Sequence, residues 1–264
     1  MPGDRPTTTT GARVSERAWE LVLQHVESAM LAGDLAVGDR LPGERALSAD
    51  LGVGRSSVRE ALRALEVLGL VRTATGSGPS AGAFITATPQ GGMSALMRLQ
   101  VAARGFPVAD VVATRLLLER TVAERLAERN AAASPEASGP VGTGDDPLAD
   151  ARRLLDAMDA PGLPAADFIG LDAAFHLALA VAAGNEVVAA TMAGLRSGIE
   201  RYTIAGAEAV ADWPRMAARL RAEHRAVLDA IDAGDPALAG ARIHEHISRY
   251  HADTAVPATR GTRP

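Results

Sequence analysis

Apolar residues recur with a helical period along most of the chain. Between 14 and 32, Trp19, Val22, Leu23, Val26 and Met30 share one face and Gly33 ends the pattern, which predicts an amphipathic helix. A short helix over 44–50 and a longer one over 56–68 follow, separated by Leu51-Gly52-Val53-Gly54. Segments 71–75 and 83–86 flank the glycine-rich GSGPSAG and predict a small hairpin. From 93 to 253 there is no strand pattern, only helical periods broken at Gly105-Phe106-Pro107, Pro161-Gly162, Gly184, Trp213-Pro214 and Gly234-Asp235-Pro236. The expected fold class is mainly α: a helix, turn, helix and hairpin unit over 13–86, a linker over 87–92, and an all-helical antiparallel bundle over 93–253. The run 130–147, rich in Gly, Pro, Ala and Ser, is expected to be a flexible surface loop, and 1–12 and 254–264 disordered tails.

Composition narrows the chemistry. A length of 264 residues fits two domains at about 150 residues each. No run approaches the roughly 18 uncharged apolar residues of a membrane span, and residues 1–10 lack the apolar core of a secretory signal, so a cytoplasmic protein with no membrane partner is expected. The absence of cysteine excludes disulfides, thiolate nucleophiles and Cys-ligated metal, leaving His and carboxylates as ligands. The net charge of -5 excludes a global basic coat but not a local basic face. Every one of the 27 basic residues is arginine, so any phosphate contact would be a guanidinium contact.

In SSVREALRALEVL, Val58, Ala61, Leu62, Leu65 and Leu68 form a core stripe, while Arg55, Arg59 and Arg63 recur every four residues on another face. An arginine stripe opening a helix, with Ser56 and Ser57 in the first turn, suits a major groove: guanidinium groups pair with guanine, and hydroxyls and amides meet phosphate. The stretch 38–73 resembles the winged helix-turn-helix of the GntR superfamily of bacterial transcription regulators. The carriers are the LPGER run at 41–45, LGV at 51–53, RSSVREALRALE at 55–66 and GLV at 69–71. The resemblance implies that Arg45, Arg55 and Arg59 contact operator DNA and that a wing glycine, Gly76 or Gly78, approaches the minor groove. Gly43 and Gly54 replace the capping serines usual in the family, at a cost of only a few tenths of a kcal/mol.

A second constellation lies in the helical half. Asp172 and His176 stand one turn apart, flanked by Phe168, Phe175 and Leu179, so the pair points inward. His224 and His246 are 22 residues apart with Asp235 at their midpoint, inside a predicted turn; an antiparallel hairpin folded there sets them level. Both lie on apolar stripes. His25, His244 and His251 show no such pattern. Burying four such groups without a ligand strands donors and acceptors at roughly 1 to 3 kcal/mol each, and a divalent ion held by Asp172, His176, His224 and His246 removes that cost. Zinc is the first choice, with nickel and manganese as alternatives. Arg115 and Glu119 interrupt the stripe of Val108, Val112, Val122 and Leu126. They form either a structural buried ion pair or, on the functional reading, a guanidinium fork for a carboxylate effector at Arg115.

This half resembles the FCD effector domain carried by one GntR subfamily. The matching residues are Arg115 and Glu119 in RLLLE, the LDAAFHLALAVAAGN run at 171–185, Glu223-His224, and His246 eleven residues after Asp235. The resemblance implies a divalent metal on the same Asp and three His, with a small organic acid beside it. The expected function is a metabolite-responsive repressor binding operator DNA as a homodimer, with no catalytic residues. The alternatives are a metal-dependent, hydrolase-like enzyme and a regulator that senses the metal itself.

Overall fold

The computed structural model describes residues 10–74, 76, 81–86, 89–132 and 146–254. Two units emerge, Met1–Met93 and Ser94–Pro264. Among the described residues they comprise ten helices and one hairpin: α1 (Thr10–Ala32), α2 (Glu44–Leu51), α3 (Arg55–Val67), β1 (Val71–Ala74), β2 (Gly82–Ile85), α4 (Pro89–Ala102), α5 (Val108–Ala132), α6 (Ala149–Ala157), α7 (Ala165–Ala182), α8 (Glu186–Glu208), α9 (Trp213–Asp232) and α10 (Pro236–Thr254).

In the first unit, Val22 and Val26 of α1, Leu47 of α2, and Val58, Ala61 and Leu65 of α3 close over Val71 and Ile85 of the hairpin. Gly52 takes φ 65° at the end of α2, a left-handed conformation that suits glycine and turns the chain into α3. Gly43 and Gly54 open α2 and α3 with no side-chain cap. The strands are antiparallel, with Val71 opposite Ile85 and Ala74 opposite Gly82, and Arg40 bridges to Phe84 beside them. Leu68, expected on the core stripe, is 41% exposed, because α3 ends at Val67 and the chain turns away. The helix expected from 14 already runs from Thr10. The expected linker also changes: a helix begins at Pro89 and continues through its two glycines. A Cβ on Gly92 would lie 2.5 Å from the Leu68 carbonyl oxygen, so that glycine serves close backbone approach rather than flexibility.

The second unit is a helical bundle around Phe168, Phe175, Leu179, Met192, Leu220, Val227, Ile231 and Ile243. Full burial of a side chain such as Phe175 contributes about 1.5–3 kcal/mol. Helix α7 is long and apolar enough to cross a membrane by length and composition, with a mean hydropathy of 1.5 over 18 residues, but Asp167 and Asp172 lie within it and its buried face belongs to this core. Asn185 caps α8 by accepting from the amides of Val187 and Val188, and Asp212 caps α9 by accepting from the Arg215 amide. Trp213-Pro214, expected to interrupt a helix, instead opens one, since proline in the first turn sacrifices no helical hydrogen bond. Asn130, expected in the flexible loop, is helical and donates to the carbonyls of Ile231 and Asp232 at 3.2 and 2.6 Å, satisfying the end of α9. The rest of that loop between 133 and 145, the end tails 1–9 and 255–264, and Gly78 lie outside the described residues.

Candidate metal centre and nucleic-acid interface

Helices α7, α9 and α10 bring Asp172, His176, His224 and His246 together. All four are buried, and their nearest ligand atoms lie within 4.8 Å of one another. Asp172 Oδ1 stands 3.6, 3.1 and 3.8 Å from the Nε2 atoms of His176, His224 and His246. His224 Nε2 and His246 Nε2 are 3.2 Å apart, as the equal counts from Asp235 require of an antiparallel pair. One of these two nitrogens can donate to the other, but His176 Nε2 has no hydrogen-bond partner. Three imidazole edges and a carboxylate oxygen thus face one point with too few protons to satisfy them, a donor set that fits a divalent cation.

Surrounding groups orient this set. Glu119 on α5 meets His176 Nδ1 with one oxygen and accepts from Arg115 Nε with the other at 2.8 Å. Glu223 accepts from His246 Nδ1 at 2.9 Å. Glu223 by a hydrogen bond and Glu119 by an ion pair lie behind the His246 and His176 rings, whose Nε2 atoms face inward, the carboxylate–histidine arrangement usual behind a metal ligand, while His224 Nδ1 has no hydrogen-bond partner. Arg196 on α8 donates from Nη2 to Asp172 Oδ2 at 2.8 Å, which leaves Oδ1 for the cluster. Neither Arg196 nor Glu223 is singled out by their sequence settings as site residues. Arg196 carries the same signal that marks Arg115, a charge among the apolar positions Met192, Leu195 and Ile199.

The electrostatics follow from burial and partners. Burial pushes His224 down to about 3, with the neighbouring His246 adding to the effect, so the ring is neutral and able to ligate. For His176, burial opposes the charged form, but Glu119 and Asp172 outweigh it and raise the pKa. Burial would raise Asp172 and Glu119; the charge of His176 outweighs it at Asp172, as do the charges of Arg115 and His176 at Glu119, and both stay well below the usual carboxylate range.

Two cavities meet at Arg115 beside the cluster. A small one of about 30 Å3 is lined by Asp172, His176, His246, Arg115 and Tyr250, and also by His251, which lacks any partner pattern in the sequence. A larger one of about 210 Å3 opens between α7 and α8 and shares Arg115, Ile199 and Thr203 with the first. Arg115 is therefore both a partner of Glu119 and a wall of both cavities, so its two sequence readings are compatible.

In the first unit, Arg45, Arg55 and Ser56 are exposed and Ser57 is half-buried. Arg59 is exposed too, and is paired with Glu44 of α2 through Nε and Nη2 at 3.0 to 3.3 Å. Glu44 sits among Arg55, Arg59 and Arg63; the hydrogen bond from Arg59 and these charges lower its pKa. Gly76 lies past the end of β1 at φ 133°, with open space where a Cβ would stand.

A two-helix reader with a β-hairpin wing, followed by a helical domain enclosing a polar cluster, is the architecture of a transcription regulator with an effector domain. Residues 20–79 match the bacterial regulatory proteins of the gntR family and residues 110–249 match the FCD domain. The HTH-type transcriptional regulator LutR of Bacillus subtilis is 30% identical over 220 residues, 82% of this chain and 91% of LutR. The HTH-type transcriptional repressor NanR of Cronobacter sakazakii is 30% identical over 243 residues, 88% of this chain and 84% of NanR. Among solved structures, Streptococcus agalactiae GntR shares the fold, with a TM-score of 0.57 at 24% identity, covering 90% of this chain and all of that one. The chain belongs to the GntR family of transcription regulators, in the group with an FCD effector domain.

Proposed function

We propose that this regulator holds one divalent metal ion on Asp172, His176, His224 and His246, and that a small carboxylate bound beside it, with Arg115 as an anchor, changes the affinity of a homodimer for operator DNA in the cytoplasm. The observation that carries the reading is the convergence of three Nε2 atoms and one carboxylate oxygen in a buried site, with the outer nitrogens of His176 and His246 facing Glu119 and Glu223. Zinc suits the nitrogen-rich set best. Bound there, the metal supplies positive charge that a carboxylate can share with Arg115. On the DNA side, Arg45, Arg55, Ser56, Ser57 and Arg59 would meet the major groove and its phosphates, and a wing glycine, Gly76 or Gly78, the minor groove. Two copies would set two α3 helices on a pseudo-palindrome. Repression is the mode that the NanR relative's name supports.

The acid can alter operator affinity only by the factor with which it prefers the DNA-free protein. The test is metal analysis of purified protein, followed by fluorescence anisotropy on operator DNA with metal and with small carboxylates in turn. One ion per chain and carboxylate-dependent release are expected. Release by metal alone would make the ion the signal, and a metal-free protein with full carboxylate response would refute the cage. A metal-dependent hydrolysis of small esters, lost with chelator, would instead support the enzymatic alternative.

A further inference from the structure

The cleft between α7 and α8 points to the chemical class of the effector, an inference that rests on the carboxylate-sensing reading above. Its walls are mostly short: Ala173 and Ala174 of α7 and Ala193 of α8 leave space that Leu177 and Ile199 line with hydrocarbon, with the hydroxyls of Ser197 and Thr203 on the α8 side. Arg196, only 9% exposed, lines the same cleft. Its Nη2 is committed to Asp172, but Nε and Nη1 have no hydrogen-bond acceptor, and Nη1 stands 3.7 Å from Glu119 Oε1, too far for a hydrogen bond. Both donors are closed to solvent, so an oxygen pair from the cleft reaches them only as the side chains over them give way, and its arrival would satisfy donors that are costly to leave unpaired. Glu200 also lines the cleft, where a second anionic group on the ligand would meet a like charge.

We propose that Arg196 is a second arm of the carboxylate clamp and that the cleft receives an apolar tail, so the effector is a monocarboxylate carrying hydrocarbon rather than a dicarboxylic acid. The space of about 210 Å3, part of it open to solvent, exceeds the roughly 150 Å3 in which a buried apolar cavity binds benzene, room for a tail of about six carbons.

The experiment is calorimetric titration of metal-loaded, full-length protein with acetate, butyrate, hexanoate and octanoate, and with succinate beside butyrate. Affinity should rise about fourfold per added methylene until the cleft is full. Succinate should bind more weakly than butyrate. In Ala193→Leu, whose added carbons occupy the cleft, the gain per methylene should disappear beyond butyrate; Ala174→Val offers a smaller intrusion should the first variant fold poorly. Arg196→Lys, which keeps the charge but loses the planar fork, should weaken the whole series together. An affinity independent of chain length, or tighter binding of succinate, overturns the proposal while leaving a carboxylate sensor standing. Failure of every acid, acetate included, to bind metal-loaded protein overturns both.

Discussion

Replacing His224 with alanine separates packing from metal binding within one residue. The ring is fully buried, 4.6 Å from the Phe175 ring and 4.4 Å from that of His246 between centroids. Its removal leaves a void, and deletions of this size in a core cost about 2–5 kcal/mol. That loss should appear in chelator-treated protein. The metal contributes separately: an ion at a hundredfold excess over its Kd stabilises the folded chain by about 2.7 kcal/mol. For a helical unit spanning Ser94–Pro264, each kcal/mol moves Tm by about 2–4 °C, so metal should raise the parent's Tm by about 5–11 °C. Loss of a direct ligand should weaken binding by more than the 10- to 100-fold typical of a residue behind a ligand. The variant would then sit near its Kd under the same conditions, where the increment falls to about 0.4 kcal/mol, or near 1 °C. Differential scanning fluorimetry with and without metal reads both quantities, and elemental analysis reads occupancy. A variant with one ion per chain and the parent's full metal-induced rise would remove His224 from the cage and break the argument from converging nitrogens.

Glu119→Gln keeps the shape but loses the charge that faces both His176 and Arg115, and should lower metal affinity about 10- to 100-fold in a competition titration with a chelating dye; unchanged affinity would make the glutamate purely structural. In metal-free protein, His224 is held at about 3 against an ordinary 6.5, so its stabilising contribution is present above pH 6.5 and is lost as pH falls toward 3. His176, shifted upward, contributes in the opposite sense, below 6.5 and until pH rises through its folded value, so it adds no loss in the acid window. Tm of chelated protein should therefore fall between pH 6.5 and 4.5, and His224→Ala should flatten that fall; an equally steep fall in the variant would assign the loss elsewhere. On the DNA side, Arg55→Ala should weaken operator binding about 10- to 100-fold at fixed salt without changing Tm, and unchanged gel-shift affinity would reject its contact role. Glu44→Gln frees Arg59 and removes a negative charge from the arginine face, so binding to non-operator DNA should rise more than binding to operator; a fall in both would refute this.

The parts of the fold that local rules control were legible. The α2–α3 turn follows from Gly52, and the α9–α10 hairpin from Gly234-Asp235-Pro236, where Gly234 at φ 65° passes close to Ala131. The joint between the units was not. PQGG reads as a linker because glycine usually signals flexibility, yet Gly92 is required by the nearby Leu68 backbone, a contact that no local pattern encodes.

The cluster divides in the same way. Asp172 and His176 are neighbours through helical spacing, and His224 and His246 through hairpin symmetry, so counting sufficed for both pairs. What joins the pairs, and what balances their charge, comes from helices distant in sequence: Glu119 lies 57 residues before His176, and Arg196 lies 24 after Asp172. A buried arginine shows in sequence only as a charge on an apolar stripe; its partner does not show at all. Yet the charge inventory constrains the answer. Asp172 and Glu119 are both held ionised by their partners, against two buried arginines and a His176 shifted toward its charged form. The protein thus already holds its own positive charge against these carboxylates. A metal held by Asp172, His176, His224 and His246 would need the His176 ring neutral, and its charge with the two guanidinium groups would then leave a surplus that a carboxylate is suited to neutralise.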